Sequence, residues 1–294
     1  MKTDPPPSPF VETLRDIGGL SLQVAEAGPP DGPLTILLHG FPDVWQGWRG
    51  QIGPLADLGL RVLAPNQRGY GESSKPHGAS SYELDLLVDD VVKLAESEGR
   101  STFRVVGHDW GGVVAWRAAA RYPDRVERAA ILNAPHPGVM KRFLWKRPAQ
   151  IFRSSYIGFF QIPKLPEAFL RTNDFQMLFA MLDWGGQPGS FDERDRAWLR
   201  QAWSQPGALT GMLNWYRALR SRSQAFEPTR VRAPILLLWG ERDPALDRGL
   251  GKASLELCDC GRAMWFENAK HWVQRDETAA VNSALVGFLS QRLP

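Results

Sequence analysis

Short apolar runs alternate with longer amphipathic stretches through the first half of the chain. Four runs are typical of buried parallel strands: residues 34–38, 61–64, 103–106 and 128–133. Three stretches carry apolar residues at helical spacing: residues 45–58, 82–98 and 113–121. A half-exposed alternation at 20–26 indicates one more strand. Strands that alternate with helices predict an α/β fold with a mostly parallel central sheet and helices on both faces.

This alternation stops at residue 138 and resumes near residue 227. The intervening stretch has helical patches separated by Pro and Gly and contains no strand-like run. The pattern then returns with an apolar run at 234–239, a short strand near 264–266 and a closing helix at about 277–293. We therefore expect a core domain formed by residues 1–137 and 227–294, with a helical cap inserted at 138–226.

Composition and charge exclude several classes of protein. The chain has 294 residues, 43% of them hydrophobic, which is enough for one large core. The 35 Lys and Arg residues nearly balance the 32 Asp and Glu residues, and the net charge is +3. No long basic block is present to follow a phosphate backbone, so we do not expect nucleic acid as a partner.

Targeting signals are also absent from the sequence. The opening MKTDPPPSPF lacks the charged and apolar regions of a signal peptide, and no apolar window reaches the ~18 residues of a membrane span. The two cysteines, Cys258 and Cys260, are too few for a disulfide framework. We expect a cytoplasmic protein, and the sequence leaves a monomer and a homodimer open.

The segment from Gly107 to Gly112 is the strongest candidate for chemistry. It lies between a strand and a helix, and glycines two residues either side of Asp109 permit a sharp turn that exposes this side chain. A carboxylate nucleophile attacks saturated carbon to give an alkyl ester, so the turn favours an alkyl electrophile as substrate. The alternative is an Asp that only caps the following helix.

A base and an acid follow later strands of the same sheet. His271 alone of the five histidines follows the final strand, and Asp243 follows the strand before it. The order nucleophile, acid, histidine suits a triad in which His271 activates water. Glu241 and Asp247 are alternative acids, and Asn133, at another position where an acid could lie, carries no charge to stabilise imidazolium.

Hydrolysis of such an ester would also need an oxyanion hole. The backbone N–H groups of Phe41 and Trp110 are the donors that this arrangement of strands would supply. Gly40 lets the first loop approach closely, and we predict a cis peptide bond before Pro42.

The chain resembles the epoxide hydrolases of the α/β-hydrolase fold. The segments that carry this resemblance are His39 to Pro42, Gly107 to Gly112, Asn133 to Pro137, Trp239 to Leu246 and His271 to Gln274. They extend over nearly the whole chain, which implies the α/β-hydrolase fold with a cap domain. One departure is Asn66, where many relatives carry Asp, and we expect it to be structural.

Two cap tyrosines separate the branches of this family. Tyr156 and Tyr216 match the positions at which epoxide hydrolases hold the epoxide oxygen above the nucleophile. Phenol groups there can polarise that oxygen and protonate the alkoxide. The alternative is that both tyrosines only pack in the core of the cap.

Two rival functions remain on the same fold. A haloalkane dehalogenase would share Asp109, Trp110 and His271, but it needs donors for a departing halide. Phe41 occupies the position where such enzymes often place an Asn donor. A non-catalytic ligand-binding protein would not need all three groups of the triad.

The expected reaction partners are water and a small hydrophobic epoxide, converted to a vicinal diol. We expect an apolar pocket whose substrate-binding residues are Phe41, Trp110, His136, Phe159, Trp215 and Trp272. No cofactor is implied, and the scattered histidines do not suggest a metal site.

Overall fold

The computed structural model describes residues 10–140, 156–221 and 227–291. Within these residues one sheet has eight strands, in the order β1-β2-β4-β3-β5-β6-β7-β8. The strands are Val11–Asp16 (β1), Ser21–Ala27 (β2), Leu34–Leu38 (β3), Arg61–Pro65 (β4), Phe103–His108 (β5), Val126–Leu132 (β6), Ile235–Gly240 (β7) and Gly261–Phe266 (β8). The pairs β1·β2 and β2·β4 are antiparallel and the other pairs are parallel. The predicted mostly parallel sheet is confirmed.

Helices cover both faces of this sheet. The α-helices are Arg49–Asp57 (α1), Leu84–Ser97 (α2), Trp110–Arg121 (α3), Tyr156–Phe160 (α4), Leu165–Gly185 (α5), Glu193–Ser204 (α6), Ala208–Arg217 (α7), Arg248–Leu255 (α8), Val273–Asp276 (α9) and Thr278–Leu289 (α10). Apolar residues of α1 and α10 form one cluster against the sheet, and those of α2, α3 and α8 belong to a second. Because β3 and β7 are buried along their whole length, their sequences are continuous apolar runs and do not alternate.

The edge strand β1 was missed by the sequence prediction. Its residues are exposed or half-exposed along the whole strand, so no buried face produces a clear pattern. Polar contacts hold the strand instead, since the guanidinium of Arg15 pairs with Glu26 on β2 at 2.7 Å.

Helices α4 to α7 lie between β6 and β7, in the stretch predicted to be the cap. The described residues of this stretch contain helices and turns but no strand. The predicted end of the cap at residue 226 lies outside the described residues. Helix α5 is two helical pieces, because residues 172–175 have non-helical backbone angles. Across the described parts of the chain, no helix is both long enough and apolar enough to cross a membrane.

Candidate active site

Asp109 lies at the sharp turn between β5 and α3. Its backbone has φ 50° and ψ −120°, an unfavourable conformation for a residue with a side chain. A Cβ at Gly107 would lie 2.2 Å from the carbonyl oxygen of Gly111, and one at Gly111 would lie 2.1 Å from that of Leu38. The turn therefore requires both glycines, as predicted. Asp109 makes no side-chain capping bond to α3, which excludes the simple helix-cap alternative.

The loop after β3 supplies one donor to this carboxylate. The N–H of Phe41 donates to Oδ1 of Asp109 at 2.9 Å. The peptide bond between Phe41 and Pro42 is cis, which confirms that prediction. Trp110, the second predicted donor, begins α3 directly after Asp109. With Oδ1 bound to the loop, Oδ2 is the oxygen available to react.

His271 connects the two aspartates of the predicted triad. Its Nε2 lies 3.5 Å from Oδ2 of Asp109, and its Nδ1 lies 2.8 Å from Oδ2 of Asp243. His271 is only 8% exposed, so it is not a surface loop histidine. The rival acids face elsewhere, since Glu241 pairs with Arg248 and Asp247 caps α8.

Asn133 is a site residue whose role the sequence did not reveal. Its Nδ2 donates to Oδ2 of Asp243 at 2.7 Å, and its Oδ1 accepts the N–H of Gly240 at 2.9 Å. The backbone N–H groups of Ala245 and Leu246 bind the other oxygen of Asp243 at 2.8 and 3.0 Å. Asn133 was considered only as a replacement acid, but it orients the acid that is present.

These contacts shift the pKa values of the triad. Burial alone would lower the pKa of His271, but the charge of Asp243 and the hydrogen bond with Asp109 raise it to about 10. Burial likewise opposes ionisation of Asp109, yet its bond with His271 holds its pKa below the usual value of 3.8. Both shifts favour an ion pair of carboxylate and imidazolium.

The two cap tyrosines lie together above Asp109. The rings of Tyr156, at the start of α4, and Tyr216, in α7, have centroids 5.9 Å apart. The ring of Trp110 also packs edge-on against the ring of Tyr216, with centroids 5.2 Å apart. Burial raises the pKa of both tyrosines, so both remain protonated donors at neutral pH.

A cavity of about 370 Å³ brings these groups together. Its polar members include Asp109, His271, Tyr156 and Tyr216. The rest of its wall is mainly apolar, and the residues are Phe41, Pro42, Phe159, Phe160, Phe169, Leu170, Met177, Met181, Trp184, Gly185, Pro244, Ala245, Leu246 and Trp272. Phe41, Phe159 and Trp272 thus lie where the sequence placed them.

Three predicted pocket residues do not line this cavity. The ring of His136 packs against Trp116 in the core, and its Nδ1 accepts the N–H of Gly138. The indole of Trp215 donates to the carbonyl of Arg68 and is buried below the cap. Trp110 contacts the ring of Tyr216 from behind the cavity wall. His136 and Trp215 therefore lie away from the cavity where the sequence placed them as substrate contacts, because position after a strand or in a cap helix does not fix which way a ring points.

Within the described residues, no group of three or more His, Cys, Asp or Glu side chains could hold a metal ion. Asn66, the residue at which this chain departs from the family pattern, has the expected structural role. Its side-chain oxygen accepts the N–H of Trp45 and its NH₂ group donates to Gln23, both at 2.7 Å.

Comparisons with known proteins agree with this fold. A family model described as the alpha/beta hydrolase fold matches residues 33–278. The chain is 44% identical to the AB hydrolase superfamily protein YfhM of Bacillus subtilis, over 96% of this chain and 98% of that one. It is 37% identical to epoxide hydrolase 4 of Mus musculus, over 93% and 77% of the two chains. The crystal structure of the Bacillus megaterium epoxide hydrolase with an inhibitor superposes with a TM-score of 0.87 at 29% identity, covering 95% and 100% of the chains.

Proposed function

The chain belongs to the epoxide hydrolases of the α/β-hydrolase family and is a hydrolase that acts on epoxides, and we propose that it converts a hydrophobic epoxide to a vicinal diol through an ester on Asp109. The observation that carries this proposal is the cavity in which Asp109 and His271 face Tyr156 and Tyr216. Its apolar wall favours a substrate with an aromatic or alkyl substituent.

In the first step, Oδ2 of Asp109 attacks an epoxide carbon. The carbon–oxygen bond of the ring breaks, and its electron pair passes to the epoxide oxygen. This oxygen takes a proton from the hydroxyl pair of Tyr156 and Tyr216, which lie on the same cavity. The product is an alkyl ester of Asp109, with Oδ1 still bound by the N–H of Phe41.

Ester formation then converts His271 into a base. The pKa of His271 is about 10 because two carboxylates contact it, and esterification removes the charge of one of them. Its proton is then lost more easily and restores the tyrosine hydroxyl that protonated the epoxide oxygen. The neutral imidazole accepts a proton from water. Oriented by Asp243, it directs that water to Cγ of Asp109.

The hydrolysis step ends in the diol. Water oxygen bonds to Cγ of Asp109, the bond from Cγ to Oδ2 breaks, and His271 returns the proton to the departing alkoxide. The Phe41 N–H stabilises the negative charge on Oδ1 during this attack. The second proton of water leaves the new carboxyl of Asp109 and returns to His271, so one epoxide and one water give one diol and the resting ion pair is restored.

The cap phenols favour this function over a haloalkane dehalogenase. Tyr156 and Tyr216 line the cavity beside Asp109, where they suit a substrate whose oxygen stays attached after the ring opens. A dehalogenase would instead direct the indole N–H of Trp110 at the departing halide, whereas the Trp110 ring packs edge-on against Tyr216, with centroids 5.2 Å apart.

A single turnover in heavy-oxygen water tests the ester route. Because water attacks Cγ, the label should appear in Asp109, and the diol should contain the old Oδ2. Label found only in the diol would overturn the covalent step. In parallel, styrene oxide and a bromoalkane are supplied separately; halide release without diol formation would assign the dehalogenase function instead.

A further inference from the structure

The loop that carries His271 is hydrogen-bonded directly to the end of cap helix α5. The backbone N–H of His271 donates to the carbonyl of Gly185 at 2.9 Å. The ammonium of Lys270 donates to the carbonyl of Gly186 at 2.8 Å, and the amide of Gln187 donates to the carbonyl of Asn268 at 2.9 Å. The position of the base is thus tied to the cap through its own backbone N–H and through two residues that precede it.

Asp276, in α9, joins the same two segments through one carboxylate. Its Oδ2 accepts the backbone N–H of Lys270 at 2.8 Å. Its Oδ1 accepts the backbone N–H of Gln187 at 3.0 Å and the hydroxyl of Ser190. One oxygen therefore holds the loop before His271, and the other holds the turn that follows α5.

The last residue of α5 packs closely against this loop. A Cβ at Gly185 would lie 2.9 Å from Nε1 of Trp272 and 3.5 Å from Cβ of His271. Gly185 and Trp272 both line the substrate cavity. Movement of the end of α5 would accordingly move the residues around the imidazole.

We propose that Asp276 is a positioning residue that holds His271 in register with the closed cap for hydrolysis of the ester. The inference rests on the proposed function. Alkylation uses Oδ2 of Asp109 and the tyrosine hydroxyls, whereas hydrolysis needs Nε2 of His271 placed to direct a water at Cγ. Reaction rates depend steeply on such placement, so loss of the Asp276 bridge slows the second step selectively.

The test is a rapid-quench single turnover of styrene oxide with the full chain carrying Asp276→Asn. Asparagine keeps the size of the side chain but presents an NH₂ group to one set of N–H donors. Formation of the alkyl-enzyme, followed by intact mass, should stay within about twofold of wild type, while its decay should slow by about tenfold to a hundredfold. The pH profile of decay should shift, because the imidazole no longer sits at its fixed distance from Asp243.

Three further variants sharpen the result. Ser190→Ala removes one cap donor and should give a smaller slowing of the same step, and Asp276→Glu should recover part of the decay rate. Asp183→Asn is the matched control, because Asp183 lies on α5, pairs with Arg196 at the surface and does not contact the loop. The alkyl-enzyme of this control should decay at the wild-type rate.

The outcomes separate this inference from the proposed function. If neither wild type nor His271→Gln forms an alkyl-enzyme, the proposed function fails. If those adducts form but Asp276→Asn decays like wild type, or loses both steps equally, the positioning role is overturned. If Asp276→Asn does not fold, Ser190→Ala decides between the same two results.

Discussion

Gly40 lies so close to Asp109 that no side chain fits between them. A Cβ on Gly40 would lie 2.4 Å from Cβ of Asp109 and 2.6 Å from its Oδ1, far inside van der Waals contact. The close approach lets the next residue, Phe41, donate to that oxygen at 2.9 Å. Backbone spacing at Gly40 therefore sets the geometry of the hydrogen bond between Phe41 and Asp109.

The variant Gly40→Ala should lose most activity. The added methyl group must displace either the loop or the carboxylate, which breaks the bond from the Phe41 N–H, and loss of one such donor costs about a hundredfold in kcat. Steady-state diol formation measures this loss in kcat. Gly53→Ala is the control, since a Cβ there meets nothing within 4 Å; equal activity in the two variants would contradict the proposed oxyanion contact.

The pKa of His271 should fall in the variant Asp109→Asn. That change removes the charge and the acceptor that, together with Asp243, raise this pKa to about 10. The ring resonances of His271 in a pH titration by NMR measure it directly. Asp109→Asn also mimics the neutral ester, so an unchanged pKa would contradict the proposed conversion of His271 into a base.

The raised pKa of His271 also makes the stability of the fold depend on pH. A histidine whose folded pKa lies above its ordinary 6.5 stabilises the fold fully below pH 6.5, and this contribution is lost as the pH rises through about 10. The stability difference between wild type and His271→Gln should therefore shrink between these pH values in urea denaturation. A difference that grows with pH would have the wrong sign.

Asn133→Gly should weaken both the fold and catalysis. Asn133 has φ 40°, which glycine tolerates, so the variant loses the amide and not the backbone conformation. The buried Asp243 would lose one donor and Gly240 its acceptor, at a cost of about 1–3 kcal/mol in the free energy of unfolding. Urea denaturation and kcat measure the two effects. Asn173→Gly, at φ 47° on the cap, is the control and should change neither.

The sequence predicted the arrangement of Asp109, Asp243 and His271 because this arrangement depends on features of short segments. Two glycines around Asp109, an Asp and a His after later strands, and buried apolar runs are each visible in short segments. These features determine the backbone conformation at the turn and the order of the strands. Both can be predicted from the spacing of glycines and the alternation of apolar and polar residues.

What the sequence could not predict depends on side-chain direction. Asn133 is distant in sequence from Asp243, so only the adjacent ends of β6 and β7 reveal their hydrogen bond. His136 follows a buried strand in the sequence, as a pocket residue would, yet its ring packs in the core against Trp116. Strand β1 was missed because an exposed edge strand buries no face.

Loss of either cap hydroxyl should slow alkylation selectively. Tyr156→Phe and Tyr216→Phe each remove one donor to the epoxide oxygen, and we expect the rate of adduct formation to fall by about a hundredfold or more. Stopped-flow or rapid-quench measurement of the adduct checks this. Tyr82→Phe is the control, since the Tyr82 hydroxyl is buried without a partner and lies outside the cavity. Full activity in both cap variants would mean that the tyrosines only pack.

A buried ion cluster fastens cap helix α6 to the core beside this site. The guanidinium of Arg275 lies 3.4 Å from Asp43 of the core and 3.1 Å from Asp195 at the start of α6. Arg49 of α1 also pairs with Asp195. Asp43 and Asp195 are each 1% exposed, and burial raises the pKa of Asp43 even with Arg275 beside it. The charge of Arg275 opposes this rise in the pKa of Asp43.

Replacing Arg275 with Met should destabilise the protein by about 3–5 kcal/mol, because a buried carboxylate loses its cation. The added variant Asp43→Asn should restore part of that loss, since it removes the uncompensated charge. A carboxyl whose folded pKa is raised binds its proton more tightly in the folded state, so the deficit of Arg275→Met should shrink as the pH falls. Urea denaturation across pH measures all three effects. Arg248→Met, which breaks an exposed pair with Glu241, should cost under about 1 kcal/mol, and an equal cost for both variants would contradict the buried cluster.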